Sequence, residues 1–166
     1  MGGVGIPTSK EQPSAPDCAA VDSGWRYRAF LADRLGGRWM SRPVVHFEIV
    51  GRDPVRLRSY FGELFGWSFD VPSPVAQEVS DPDSYGFLDM VVSDDGAGIP
   101  GGIGGGSGYD SHAVFYVGVP DVEEALQRAA ELGGSRVMGP ATSPNGLVVG
   151  HFTDPEGTLI GVAGVS

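Results

Sequence analysis

The stretch that decides the fold is HFEIVGRDPVRLRSYFGELFG (46–66), because the same pattern recurs later in the chain. A shift of 68 positions lays it over VFYVGVPDVEEALQRAAELGG (114–134) without a gap. Asp53 falls on Asp121, and each Asp stands where its side chain can accept the unpaired N–H groups at the start of a helix. Each copy therefore predicts a strand, a capped helix and a closing glycine, and the repeat predicts two copies of one structural unit.

Strands and turns follow each predicted helix. After the second helix we predict strands at 135–142, 147–154 and 158–164. They are separated by the turn sequences Pro-Asn-Gly (144–146) and Pro-Glu-Gly (155–157), which are typical of hairpins.

The first copy is less regular, with predicted strands at 67–71, 84–92 and 98–106. The predicted fold is α+β: two tandem βαβββ modules, at about 43–106 and 110–166, that form a curved eight-stranded mixed sheet. We expect the helices to lie outside and the concave inner face to remain free as a cleft.

Composition restricts the class of function. The chain has 166 residues, of which 41% are hydrophobic, enough for one globular domain. Its net charge of −10 excludes nucleic acid as the expected partner, since phosphate binding needs clustered Lys and Arg. No apolar run approaches the roughly 20 residues of a membrane helix, so no membrane partner is expected. The single cysteine, Cys18, and the lack of a secretory signal predict a cytoplasmic protein.

The first 39 residues differ from the rest. Residues 1–24 are rich in Gly, Pro, Ser and Ala without an apolar period, which predicts disorder, and 25–35 could form a short amphipathic helix. We expect 1–39 to be a disordered or mis-annotated leader, with Met40 as the native start and 40–166 as the single domain. Peptides from 1–39 in mass spectra of the endogenous protein would contradict a start at Met40.

The first strand of the repeat carries the leading candidate site. In VVHFEIV (44–50), Phe47 faces one side of the strand, whereas His46 and Glu48 face the other. An imidazole beside a carboxylate can bind a metal, a proton or its neighbour. Tyr116 occupies the position of Glu48 in the second copy, so we expect it at the cleft as a stacking surface or hydroxyl donor.

Other candidates depend on the strand faces. His112 lies two residues before Val114 and faces the cleft if its strand is regular. His151 lies in a strand whose buried face cannot be identified from alternation, and Trp67 could reach the cleft or pack in the core. The glycine-rich run 98–108 resembles a phosphate loop, but no helix follows it. We expect it to form an edge that lets a ligand approach the backbone.

The segments 44–67, 114–134 and 152–162 resemble the vicinal oxygen chelate superfamily, which includes glyoxalase I, bleomycin and fosfomycin resistance proteins, and extradiol dioxygenases. The resemblance is strongest to its glyoxalase-related small proteins with an HFEI-type first strand. It implies the two-module fold, a small-molecule ligand and a homodimer.

Metal-using members of this superfamily take ligands from the first and last strands of each module. Carried over, these positions are His46, the glycine-rich strand 98–106, Val114 and Gly161, and only His46 can coordinate. The resemblance therefore implies a small-molecule-binding protein with a degenerate metal site and no cofactor. The alternative is a lyase, isomerase or dioxygenase-type enzyme, using His46 in a rearranged divalent metal site. A metal-free version would use His46 as the acid–base group and Glu48 to orient it.

Overall fold

The computed structural model describes residues 41–90, 92, 93 and 96–165. The predictions for 1–39 and for Met40 lie outside these residues. The described residues form two helices, α1 (Pro54–Phe65) and α2 (Val122–Glu131). They also form nine strands: β1 (Val44–Gly51), β2 (Gly86–Leu88), β3 (Val92–Ser93), β4 (Gly96–Ala97), β5 (Gly101–Gly105), β6 (His112–Gly118), β7 (Ser135–Thr142), β8 (Leu147–Thr153) and β9 (Leu159–Val165).

Seven strands make one mixed sheet in the order β2-β5-β1-β6-β9-β8-β7, and β3 and β4 pair separately. The pairs β1–β5 and β6–β9 are parallel, and the others are antiparallel. The sheet thus consists of two adjacent modules joined by β1 and β6, which confirms the predicted α+β class. The eighth strand, expected at 67–71, is not confirmed: only an isolated bridge between Asp70 and Phe87 forms there.

The repeated caps form as the sequence predicts. Asp53 accepts a hydrogen bond from the Arg56 backbone N–H, and Asp121 accepts one from that of Glu124, both at 2.9 Å. Gly66 ends α1 with a φ of 71°, a conformation that favours glycine. The same local chemistry therefore starts the helix of each module.

The two helices differ in how they pack. The α2 helix buries Val122 and Leu126 against the sheet. The α1 helix buries only Pro54, and leaves Leu64 54% and Phe65 55% exposed. Burial of apolar area holds a helix on a sheet, so α1 is the more weakly attached of the two.

The concave face of the first module is covered by its own chain. The connection 72–84, which we call the covering segment, buries Ala76, Val79 and Ser80. The Ser80 hydroxyl accepts a hydrogen bond from the Gly105 N–H at 2.9 Å and donates one to the Gly105 carbonyl at 3.1 Å. The prediction that the inner face stays free is therefore wrong for this module. Strand alternation carries no information on where a long connection folds.

Candidate functional site

Four of the predicted residues meet in the middle of the sheet. His46 on β1 lies opposite Tyr116 on β6, and Tyr116 lies beside Gly161 on β9. His151 on β8 is the antiparallel partner of the same glycine. Glu48 follows His46 on the same face of β1 and is only 4% exposed. Strand pairing thus places these side chains side by side on the concave face.

Tyr85, the residue directly after the covering segment, completes a hydrogen-bonded chain with them. Its hydroxyl donates to Glu48 Oε1 at 3.0 Å and lies 2.9 Å from His46 Nε2. The Tyr116 hydroxyl donates to Glu48 Oε2 at 2.6 Å and lies 2.6 Å from His151 Nε2. We call these five residues the buried cluster. Glu48 stands at its centre, with one tyrosine and one histidine on each side.

Burial shifts the pKa values of the cluster towards neutral forms. It raises the pKa of Glu48 to about 7, although the hydrogen bonds from Tyr116 and Tyr85 oppose this rise. Burial also lowers the pKa of His46 to about 4, against the effect of the Pro100 carbonyl. The pKa of His151 falls to about 4, first by burial and second by the nearby His112. Burial therefore favours the uncharged form of Glu48 and of both histidines.

The hydrogen positions in the cluster depend on the proton of Glu48. When Glu48 is ionised, both tyrosine hydroxyls can donate to it, and the roles of His46 Nε2 and His151 Nε2 depend on the tautomer of each ring. When Glu48 is protonated, it can donate to one of the two tyrosines instead.

The glycines of β5 make room for aromatic rings of the protein itself. A Cβ at Gly104 would lie 2.7 Å from Tyr85 Cδ2, and one at Gly102 would collide with the Tyr85 hydroxyl. On the other face, a Cβ at Gly101 would collide with the Phe47 ring. The close approach that we expected of a ligand is thus made by Tyr85. Sequence reasoning missed Tyr85, although alternate glycines in a strand are a signal that a bulky group lies against them.

A cavity of about 30 Å³ lies beside the cluster, which is room for about two water molecules. Its wall includes four cluster residues, His46, Glu48, Tyr85 and Tyr116. The rest comes from the covering segment, the β7–β8 turn, β8 and β9: Pro74, Val75, Ala76, Val79, Ser143, Asn145, Leu147, Val149 and Ala163. The cavity is therefore largely apolar. His46, Tyr85 and Tyr116 are hydrogen-bonded around Glu48, whereas the Ser143 hydroxyl donates to Asn145 on the β7–β8 turn.

The structure does not bring the other two candidates to this cavity. His112 lies at the start of β6, where its Nδ1 is 2.8 Å from the Asp110 carbonyl oxygen. The Trp67 ring packs against Phe47 and Phe65, with ring centroids 5.6 and 5.0 Å away. Because Phe47 faces away from Glu48, Trp67 lies on the helix side of the sheet.

At the positions where the resemblance implies metal ligands, His46 has the one side chain that can coordinate. A Cβ at Gly161 would lie 2.5 Å from Tyr116 Cδ1, and one at Gly102 would meet Tyr85. Val114 has an apolar side chain that cannot coordinate a metal, so His46 is the one coordinating side chain at these positions. Within 41–90, 92, 93 and 96–165, no three His, Cys, Asp or Glu side chains are grouped to hold a metal ion.

Comparison with known proteins gives a family match over most of the chain. The sequence model of the Glyoxalase/Bleomycin resistance protein/Dioxygenase superfamily matches residues 20–162. No curated protein matches the sequence. Within the described part of the chain, no helix is long and apolar enough to cross a membrane.

The similar solved structures include methylmalonyl-CoA epimerases. One is a variant from Streptomyces coelicolor in complex with 2-nitronate-propionyl-CoA; it is 16% identical, has a TM-score of 0.53, and the match covers 74% of this chain and 96% of that one. Another is an epimerase in complex with methylmalonyl-CoA and NH4+; it is 17% identical, has a TM-score of 0.53, and the match covers 75% and 95%. At these identities the likeness shows a shared fold.

Proposed function

Because the chain belongs to the Glyoxalase/Bleomycin resistance protein/Dioxygenase superfamily, whose fold hosts several chemistries, we propose a function from the site itself. The protein binds a small molecule, without a metal, in the cavity beside Glu48. The observation that carries this proposal is a buried carboxylate at the wall of a largely apolar cavity on the concave face. Apolar walls with a few convergent polar groups are typical of small-molecule sites.

The metal-free character follows from the tyrosines. The rings of Tyr85 and Tyr116 fill the space that side chains at Gly102 and Gly161 would need. In the proposal, the metal site implied by the resemblance is degenerate, and the hydroxyls of these tyrosines hold Glu48 instead. Metal analysis of protein purified without a histidine tag should find no stoichiometric metal. Stoichiometric metal that is lost in His46→Ala would overturn this part.

An acyl-CoA ligand is not proposed. The epimerase structures hold methylmalonyl-CoA or 2-nitronate-propionyl-CoA, which carry phosphates. Among the described residues, the wall of the cavity includes no Lys or Arg that could bind a phosphate.

Entry of a ligand larger than about two water molecules requires a shift of the covering segment. This segment is held by the Ser80–Gly105 hydrogen bonds and by Arg58, whose Nη1 donates to the Ser84 carbonyl at 2.6 Å. Ligand binding should therefore change the environment of Ser80 and Gly105 together with that of the cluster.

A fragment screen by protein NMR tests the binding function. We expect hits that shift the signals of Tyr116 and Ser80, and that are lost when Val149→Trp fills the cavity. Val137→Trp is the matched control, because Val137 is also on the sheet but is 56% exposed. Ala163→Val, a smaller filling change, serves if the first variant folds poorly. Hits that bind both tryptophan variants equally, or a screen without hits at the cavity, would overturn the proposal.

Metal-free acid–base catalysis is a second candidate, and the pKa of Glu48 near 7 favours it. In this version Glu48 accepts a proton from a carbon beside a carbonyl group. His46 then acts through Tyr85, which differs from the expected roles of the two residues. Proton NMR in D2O tests it: exchange of such a proton should be catalysed by the wild type and absent with Glu48→Gln. Equal exchange in both proteins would remove Glu48 as the base.

The homodimer and the cytoplasmic location stay predictions. Size-exclusion chromatography with light scattering tests the first, and fractionation of cells that express the protein tests the second.

A further inference from the structure

The charges around the cavity are unusual for a buried carboxylate. The wall contains Glu48 and no Lys or Arg among the described residues. The groups that face Glu48 are His46 on β1, Tyr85 just after the covering segment, Tyr116 on β6 and, through Tyr116, His151 on β8. The nearest group that could carry a positive charge is His46, whose Nε2 lies 3.8 Å from Glu48 Oε1, but burial lowers the pKa of this ring and favours its neutral form. With His46 neutral, an ionised Glu48 has no Lys or Arg from the described residues beside it as a counter-ion, and burying an unpaired charge is costly.

We propose that the cavity takes the ammonium group of an amine-bearing small molecule, with Glu48 as its counter-ion. This inference rests on the proposed function and names the chemical class of the ligand. It follows from a buried carboxylate, a largely apolar wall and the lack of Lys and Arg in the described part of the site.

The hydrogen-bonding capacity of Glu48 leaves room for such a group. A carboxylate has about four acceptor positions, and the two tyrosine hydroxyls use one on each oxygen. The remaining positions can accept N–H groups. The Tyr85 and Tyr116 rings also border the cavity, and aromatic rings attract cations. An ammonium group would therefore gain a salt bridge and aromatic contacts at the same place.

The volume of the cavity and the net charge of the domain also favour an ammonium group as the ligand. A cavity of about 30 Å³ fits an ammonium or methylammonium group, so the rest of a larger ligand must extend towards the covering segment. Residues 40–166 contain six basic and seventeen acidic side chains, a formal charge of 6 − 17 = −11. Such a charge attracts cations to the domain and repels anions. A ligand carboxylate would place a second negative charge beside Glu48.

Three small molecules of similar size and different charge test the inference: ethylammonium, acetate and ethanol. Each is titrated at constant ionic strength and pH 8 while the NMR signals of Tyr85 and Tyr116 are followed. We expect saturable shifts with ethylammonium only, and at least a tenfold weaker effect in Glu48→Gln. Glu124→Gln is the matched control, because it removes the same charge from the exposed surface of α2 and should bind as the wild type does.

The outcomes separate this inference from the proposed function. If acetate or ethanol shifts the tyrosine signals as strongly as ethylammonium, the cavity binds small molecules and the amine inference is wrong. If none of the three shifts them, but the fragment screen finds cavity hits, the amine inference alone is wrong. If the screen also finds no cavity hit, both are wrong.

Discussion

Replacing Glu48 by Gln should change the pH dependence of stability in a defined direction. Burial raises the pKa of Glu48 to about 7 in the folded protein, from the ordinary value of 4.5 that we take for the unfolded chain. The folded state therefore binds more protons than the unfolded state between these pH values. The corresponding stabilisation is complete below pH 4.5 and is lost as the pH rises through 7. A glutamine has no such dependence.

The magnitude follows from the two pKa values. Each pH unit over which one more proton is bound is equivalent to about 1.36 kcal/mol. Integration from pH 5 to pH 8.5 gives a loss of about 2.5 kcal/mol for the wild type relative to Glu48→Gln. The pKa values of His46 and His151 are lowered, so these residues add stability above pH 6.5 that is lost as the pH falls through 4. Both proteins contain them, and their contributions largely cancel in the difference.

Urea unfolding at pH 5, 6, 7 and 8.5, followed by tryptophan fluorescence, measures this difference. Glu124→Gln is the control, since its exposed side chain should leave the pH dependence of the wild type unchanged. A gap between wild type and Glu48→Gln that changes by less than about 0.5 kcal/mol over this range would refute the reasoning. It would mean that Glu48 stays ionised in the folded protein, through access to solvent or through a charged His46, whose Nε2 lies 3.8 Å from Glu48 Oε1.

Three other changes test the packing around the site, each by denaturant unfolding. Tyr116→Phe removes a hydroxyl that lies 2.6 Å from both Glu48 Oε2 and His151 Nε2, and should lower the free energy of unfolding by about 1–3 kcal/mol. In the control Tyr60→Phe, on the exposed side of α1, the free energy of unfolding should fall by less than about 0.5 kcal/mol. Gly161→Ala should destabilise the fold by more than about 2 kcal/mol, because the added Cβ would collide with the Tyr116 ring. In the control Gly108→Ala the added Cβ enters open space, so the stability should hardly change. Similar losses of stability in the two variants would contradict the close packing of the ring on Gly161. Leu126→Ala should lower the free energy of unfolding by about 2–5 kcal/mol, because Leu126 is fully buried. Leu64→Ala should lower it by less than about 1 kcal/mol, because Leu64 is exposed on α1. An equal loss in both variants would show that the exposed face of α1 is buried in solution.

Local sequence rules predicted the parts of this fold that local physics controls. The helix caps at Asp53 and Asp121 and the strands β7–β9 depend on hydrogen bonds and turns within a few residues. The alternation of side chains along a strand predicted that His46 and Glu48 share one face. The internal repeat predicted that Tyr116 lies on the same face of the sheet. In the structure, the repeat-equivalent residues Glu48 and Tyr116 are joined directly by a hydrogen bond.

The rest of the site depends on contacts between distant parts of the chain. Tyr85 lies in 84–92, which the pattern predicts as one strand, but β2 covers only 86–88 and the preceding segment folds over the sheet. Alternation could not place His151, since a shift of one residue would have turned it to the helix side. The β5 glycines show that a bulky group lies nearby, but not which one.

The pairing of each tyrosine with a glycine constrains how the sequence can change. A side chain at Gly102 or Gly161 needs the space of Tyr85 or Tyr116, so it can be accepted only together with a smaller residue at the tyrosine position. Loss of the tyrosine first would leave a cavity and a Glu48 with one hydrogen bond fewer. Either order passes through a destabilised intermediate, so neighbouring sequences should tend to keep or to change both members of each pair. This constraint predicts that positions 85 and 102 covary among related sequences, and that positions 116 and 161 do so as well.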